Sequence, residues 1–305
     1  MDQVALVVGE ALVDVVHRSD GSVTEFAGGS AANAAVALSR LGRPVWFHSC
    51  FTEDHYGQML RTHLDAAGVR LAGDPAAIDH SSSAVATIGA DGSASYVFDI
   101  AWHLNPLDLP GDVEPVVVHT SSLAGVLSPG AEEVLDLVTR LRSTALVSYD
   151  VNARPAVTGT GPDVVAKVER LAGVTDILKA SDEDLEALYP HRSADESAAA
   201  LLTLGPAVVV VTRGGDGASW VSRAGQGTVG SIPVTVADTI GAGDTFGAAL
   251  IDALWQRGLV GAAQRPVLAG LAPDVWQEVF AFAAGAAAVT VSRPGADPPY
   301  RHELG

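Results

Sequence analysis

Residues 234–254 read VTVADTIGAGDTFGAALIDAL. A β-prone run ends at Ala237, a loop of small residues follows, and a helical pattern begins near Gly243. Gly241, Ala242 and Gly243 carry little or no side chain, so their N–H groups can approach an anion closely. They stand where a helix exposes its unpaired donors and the positive end of its dipole. Such a loop makes a cradle for charge that develops during a reaction. Asp244 falls in the first turn, where the dipole favours its ionised form and is expected to lower its pKa. A carboxylate beside an anion cradle suits a base that takes a proton from an attacking hydroxyl. The plainer reading is an aspartate that stabilises its own helix by roughly 0.3–1 kcal/mol.

The strand–loop–helix alternation extends outward from this segment. Short β-rich runs at 3–9, 44–50, 115–121, 144–150, 175–180 and 207–213 alternate with helical stretches at 30–41, 55–67, 129–142, 162–172, 194–204, 243–257 and 274–291. The run VVVVT within the last strand is continuously apolar, as expected of a strand buried on both faces. The pattern predicts an α/β fold with a mostly parallel sheet covered by helices on both sides. Residues 10–27 and 81–105 break the alternation. Each carries a DG pair, Asp20-Gly21 and Asp91-Gly92, between β-prone runs and reads as a hairpin. A small sheet built from both would stand apart from the main sheet as a lid; two ordinary surface hairpins is the alternative.

Gly28-Gly29-Ser30 precedes the helical pattern AANAAVALSRLG. Ser30 reads as its N-cap and Gly42 with Pro44 as its stop. Gly28 and Gly29 offer backbone that can touch a ligand, and Asn33 places an amide among alanines. A solvated asparagine on a capped helix is the bland reading. Asp150, Asn152 and Arg154 follow a strand, at the end where open α/β sheets bind ligands, and share one side if the chain stays extended. Turn chemistry explains the first two equally well. Arg154 suits an anionic ligand. Thr212, Gly214 and Gly217 end the VVVV strand and could take phosphates or simply make a turn. Phe98 and Trp102 in the second hairpin are packing residues by default, although a lid must close on something apolar.

Several chemistries are excluded or disfavoured. A Walker A loop is absent, since the only lysines are Lys167 and Lys179. Gly241, Gly243 and Gly247 approach a dinucleotide fingerprint with the wrong last spacing, far from the first βαβ unit. GGSAA lacks the final glycine of a hydrolase nucleophile elbow. One cysteine, Cys50, forms no intrachain disulfide, and the nine histidines show no ligating spacing. The single thiol and the acidic, strand-like start, which does not read as a signal peptide, lead to the expectation of a cytoplasmic protein. A formal net charge of −18 argues against nucleic acid or an anionic membrane as partner. A nucleotide would need a local device to overcome that field.

Together and in this order, GGSAANAAVALSRLG (28–42) and DTIGAGDTFGAAL (238–250) resemble the two motifs of the ribokinase-like, phosphofructokinase-B type sugar kinases. The opening GEALVDVV (9–16) is most similar to fructokinases. The resemblance implies one domain over 1–305, a three-layer α/β/α sandwich with the two hairpins as lid, and a homodimer through that lid in many relatives. It implies ATP and a small sugar as substrates, with Mg²⁺ arriving on ATP and a potassium site at Asp238 and Ile240, bound largely through backbone carbonyls. Asp244 would be the base and residues 241–243 the anion hole. Asp14, Gly28, Gly29 and Asn33, with Phe98 and Arg154 nearby, would face the sugar. Lys179, Ser181, Asp184, Thr212, Gly214 and Gly217 would lie along the nucleotide.

Ser181 and Asp184 stand where the family often has Asn and Glu. Alanine near position 31, where ribokinases carry lysine, argues against ribose, and SYVFDIAWHLN (95–105) lacks the arginine of many fructokinases. A nucleoside kinase, with Phe98 and Trp102 stacking on a base, is the alternative. A non-catalytic sugar- or nucleotide-responsive module on the same fold is a third.

Overall fold

The computed structural model describes residues 1–89 and 94–304. Its core is a nine-stranded sheet formed by β1 (Asp2–Val8), β4 (Val45–His48), β5 (Arg70–Leu71), β8 (Val113–Ser121), β9 (Leu146–Asp150), β10 (Ile177–Ser181), β11 (Val208–Thr212), β12 (Ala218–Ser222) and β13 (Gly225–Val229). The spatial order is β13-β12-β11-β10-β9-β8-β1-β4-β5. All neighbours are parallel except β11–β12 and β12–β13.

Successive residues of one strand enter opposite hydrophobic cores, as a pleated strand requires. Val147, Leu178, Val209 and Val211 pack beneath α3 (Gly130–Leu141), α5 (Pro162–Ala172), α6 (Asp182–Leu188) and α7 (Ala194–Leu202). Leu146, Ile177, Val208 and Val210 pack on the other side, against α8 (Ala242–Gln256) and α10 (Pro273–Val291). Beside these lie α1 (Ser30–Arg40) and α2 (His55–Ala66), over Ala5, Val7 and Phe47. Burying each large side chain stabilises the fold by roughly 1.5–3 kcal/mol. Both faces of the sheet are therefore covered, as the apolar VVVV run predicts.

The two hairpins do assemble into one sheet. Strands β2 (Leu12–His17) and β3 (Val23–Gly28) pair antiparallel, as do β6 (Ser83–Ile88) and β7 (Ala94–Asp99), and β2 joins β6 in parallel. Asp20 and Gly21 make the first turn, with Gly21 at φ 85° and Asp20 Oδ1 accepting from Ser22 N at 2.9 Å. Asp91-Gly92 lies outside the described residues.

Two expectations fail. The β-prone run at 234–237 forms no strand; Ala237 N donates to Val291 O at 2.9 Å, and Val236 is 63% exposed. Trp102 is 3% exposed and packs against Gly130 at the start of α3, so it is core and offers no stacking face. The polar, glycine-rich hairpin β12–β13 and the short helix α6 carry little apolar periodicity, and the sequence pattern does not announce them.

Candidate active site

Four parallel strands, β1, β8, β9 and β10, end beneath the first turns of α1 and α8, which pack against each other. Open α/β sheets bind ligands at such strand ends. Helix α8 is fixed from behind by a stack in which Phe280 meets Phe246 at 6.4 Å and Trp276 at 5.5 Å between ring centroids. Thr290 Oγ1 and Thr245 Oγ1 also lie 2.9 Å apart. Its N-cap is Gly241, at φ 74°, with no side chain capping the first turn. A β-carbon at Gly241 would sit 2.7 Å from that of Ala296, so glycine is required both by conformation and by space.

Asp244 is buried at the centre of this junction. The Ser30 hydroxyl donates to its Oδ1 at 2.7 Å and Asn33 Nδ2 donates to its Oδ2 at 2.9 Å. With its one proton given to Asp244, Ser30 Oγ accepts from Asn152 Nδ2 at 2.8 Å, and the Ser121 hydroxyl lies 2.8 Å away. Burial raises the pKa of Asp244. The Ser30 and Asn33 hydrogen bonds and the charges of Lys179 and Arg154 oppose that rise without cancelling it. The lowered pKa expected from the dipole is thus overturned, because desolvation outweighs the helix terminus. Ser30 is not the N-cap either: Gly29, at φ 101°, holds that position, and Ser30 opens the helix with its side chain on Asp244.

A lysine sits below the glycine loop. Lys179 Nζ donates to Asp150 Oδ2 at 2.8 Å and lies 3.2 Å from where a Gly243 β-carbon would stand. Burial works against its charge, but Asp150, Asp184 and Asp244 around it hold its pKa above the ordinary value. Asp150 keeps a second, buried oxygen without a partner. Ser181 and Asp184 form the capping box of α6, and Asp184 Oδ1 also accepts from Ala153 N at 2.7 Å.

Arg154 is exposed and bends back onto Asn152 Oδ1 at 2.6 Å. Asn152 has φ 35°, so the extended arrangement assumed for Asp150, Asn152 and Arg154 does not occur. The Arg154 charge nevertheless acts on Asp14, Asp244 and Glu10. Asp14 lies against Gly28, where a β-carbon would come 2.7 Å from Oδ2. Across the small sheet Phe26, Asp14, Ala84 and Phe98 stand in register, which puts Phe98 (36% exposed) on the Asp14 face.

Glu10 is a site residue the sequence reading passed over. It is buried, accepts from Ser30 N at 3.3 Å through Oε1 and leaves Oε2 without a partner. Burial pushes its carboxyl up to about 7. A carboxylate inside the apolar opening GEALVDVV was the available signal.

Further along the strand ends, Thr212 closes β11, and Gly214 (φ 50°) and Gly217 (φ 90°) frame the turn into β12. Ser231 donates to the Gly215 carbonyl, tying that turn to segment 230–240, which joins neither sheet. Beside α8, both Asp238 oxygens are taken, by Ile240 N and Gly295 N at 3.0 Å each. No backbone N–H is recorded on the carbonyls of Asp238 and Ile240 among the described residues. No cluster of His, Cys, Asp or Glu suited to a metal occurs among those residues either.

The model of the pfkB family carbohydrate kinases matches residues 2–303. This chain belongs to that family. It is 35% identical to a fructokinase of Rhizobium leguminosarum bv. trifolii over 82% of this chain and 79% of the relative. It is 28% identical to an aminoimidazole riboside kinase of Salmonella typhimurium over 79% and 77% of the two chains. The crystal structure of a fructokinase from Xylella fastidiosa with bound ATP superposes with a TM-score of 0.82, covering 99% of this chain and 98% of that one at 24% identity. The pfkB kinase described here therefore has the ribokinase-like fold and is a carbohydrate kinase. Among its described residues no helix is long and apolar enough to cross a membrane.

Proposed function

We propose that this pfkB kinase transfers the γ-phosphoryl group of ATP to a hydroxyl of a small sugar, a fructose-like ketose or sugar acid, with Asp244 as general base. One observation carries the reading: a buried carboxylate, held through both oxygens by Ser30 and Asn33, stands in the first turn of a helix whose N-terminus has no side-chain cap. Each Asp244 oxygen keeps a free lone pair, and burial makes the carboxylate a stronger proton acceptor.

The sugar lies between Asp14, the Gly28-Gly29 backbone, Asn33, Arg154 and Phe98. Its hydroxyl gives a proton to Asp244 while the oxygen bonds to the γ-phosphorus. The bond from phosphorus to the β,γ-bridging oxygen breaks, and ADP leaves with the electron pair. The N–H groups of 241–243 receive the charge on the transferring group, and Lys179 adds a fixed positive charge beneath them. Nucleotide runs along the strand ends past Ser181, Asp184, Thr212, Gly214 and Gly217. Mg²⁺ carried by ATP would be held on the side of Asp150, whose second oxygen has no partner and is a hard donor that suits it, and would neutralise phosphate charge. The open carbonyls of Asp238 and Ile240 fit a potassium ion; the Asp238 carboxylate, already engaged, would only shape the loop.

The small sheet serves as lid and as the contact of a homodimer. Tyr96 (60% exposed) and Phe98 stack at 6.1 Å on a face shared with Phe26, an apolar surface a second copy would cover. Sedimentation of a single monomeric species at micromolar concentration would refute the dimer. The reading as a kinase also places the protein in the cytoplasm, where ATP is available.

Asp244→Asn tests the mechanism: ATP and sugar binding should persist while kcat falls about 10²–10⁴-fold. Undiminished ADP production would remove Asp244 as base. The aminoimidazole riboside kinase relative favours a nucleoside as the second reading, although buried Trp102 leaves only Phe98 to stack on a base. A panel of fructose, ketodeoxygluconate, ribose and adenosine, read by ADP release, separates the two. Binding without ADP release across the panel would favour a non-catalytic module instead.

A further inference from the structure

At the end of the sheet opposite the strand termini that hold Asp244, a cavity of about 370 Å³ is lined by Arg142, Arg223, Arg265, Asp176, Gly205 and Pro266 among others. It is independent of the phosphotransfer reading. Asp176 precedes β10, whose other end carries Ser181. Its carboxylate is 2% exposed and already satisfied. Arg265 grips it through Nε to Oδ1 at 2.6 Å and Nη2 to Oδ2 at 3.1 Å, and Val147 N donates to Oδ2 at 2.9 Å. One arginine thus neutralises Asp176.

Two more arginines stand on the same wall. Arg142 is held by its Nε on Val174 O at 3.0 Å, with Nη2 3.5 Å from Asp176. Arg265 Nη2 is held on the carbonyls of Arg142 and Ala145 at 3.0 and 2.9 Å. Both guanidinium groups are therefore oriented before any ligand arrives, and each has N–H edges left over. Arg223, in the turn between β12 and β13, is exposed and makes no ion pair among the described residues. Three arginines against one carboxylate leave the wall at a formal +2, in a chain with twice as many acidic as basic residues, 36 against 18. Gathering guanidinium groups beyond what Asp176 needs costs electrostatic repulsion that an anion would relieve.

We propose that this cavity binds a phosphoryl dianion, borne by a small phosphorylated metabolite or present as free inorganic phosphate, on Arg223 and the free edges of Arg142 and Arg265. Planar guanidinium forks match phosphate oxygens, and the volume suits a ligand of sugar-phosphate size. Arg223→Glu provides the test, because the side chain is exposed and lies outside the active-site machinery. Inorganic phosphate, glucose 6-phosphate and, as neutral control, glucose are titrated by calorimetry into both proteins with ATP-site occupancy blocked by a saturating non-hydrolysable ATP analogue. Wild type should bind the two phosphates and Arg223→Glu at least about tenfold more weakly, with unchanged kcat. Tighter binding of glucose 6-phosphate than of phosphate would assign the metabolite as occupant, and equal affinity would assign the phosphoryl group alone. Identical isotherms for the two proteins, or no phosphate binding by wild type, would overturn the site.

Discussion

Helices α1 and α8 begin alike and do opposite things. Each starts at a glycine with positive φ, Gly29 at 101° and Gly241 at 74°, and neither has a side-chain cap. Their first turns meet, yet α1 turns its side chains outward as donors: Ser30 and Asn33 both end on Asp244. On α8 the first turn keeps its backbone N–H groups clear of side-chain caps and contributes the acceptor, Asp244. On the proposed mechanism, one helix supplies the hand that holds the base, and the other supplies base and anion cradle together. The pair shows that a glycine N-cap leaves a helix terminus available for a neighbour or for a ligand.

Closing the α8 terminus is the harshest way to break this division. In Gly241→Val a β-branched residue must adopt φ near 74° and its β-carbon must displace Ala296. The loop carrying the 241–243 amides would move, and loss of aligned donors costs about 10²–10³ in kcat. A folded Gly241→Val protein, judged by circular dichroism, with wild-type kcat would show that the cradle is not needed.

On α1 the effect should be smaller. Ser30→Ala removes one donor from Asp244, and that donor lowers the carboxylate's pKa. Without it the pKa rises further, so the acid limb of kcat/KM should move to higher pH, with a loss of about tenfold below it. A packing defect alone would lower activity without moving the limb. An unmoved limb would therefore deny Ser30 its part in holding the base.

How far the sequence reveals these parts follows from how local each one is. The glycine loop and Asp244 are adjacent in the chain, so the uncapped helix terminus and its carboxylate are legible from a short stretch. Ser30 is misread because serine at a helix start normally caps it, whereas here Gly29 takes the cap and the hydroxyl reaches a residue 214 positions away. Asp184 stands out only by its family position, although Ser181-x-x-Asp184 is itself a capping box. The sheet order, and with it the meeting of Asp150 with Lys179, depends on which strands become neighbours, and no local pattern encodes that. The parallel α/β fold is legible because apolar periodicity repeats over many elements.

Glu10 offers the mildest test in turnover and the most direct one in stability, since its side chain accepts one hydrogen bond, from Ser30 N, among the described residues. In the unfolded chain its carboxyl titrates near 4.5, and in the folded protein near 7. Between those values the folded state binds the extra proton, so stability falls as pH rises from 4.5 through 7 and the deficit is complete above 7. Glutamine cannot ionise. Glu10→Gln should match wild type in stability near pH 5 and exceed it at pH 8 by about 1–3 kcal/mol, read as a pH-dependent gap between two denaturation midpoints. Turnover should change only slightly, because the glutamine carbonyl can still accept from Ser30 N. A gap of the same size at both pH values would mean that the carboxyl gains or loses nothing by ionising in place, and that burial is not what sets its behaviour beside Asp244.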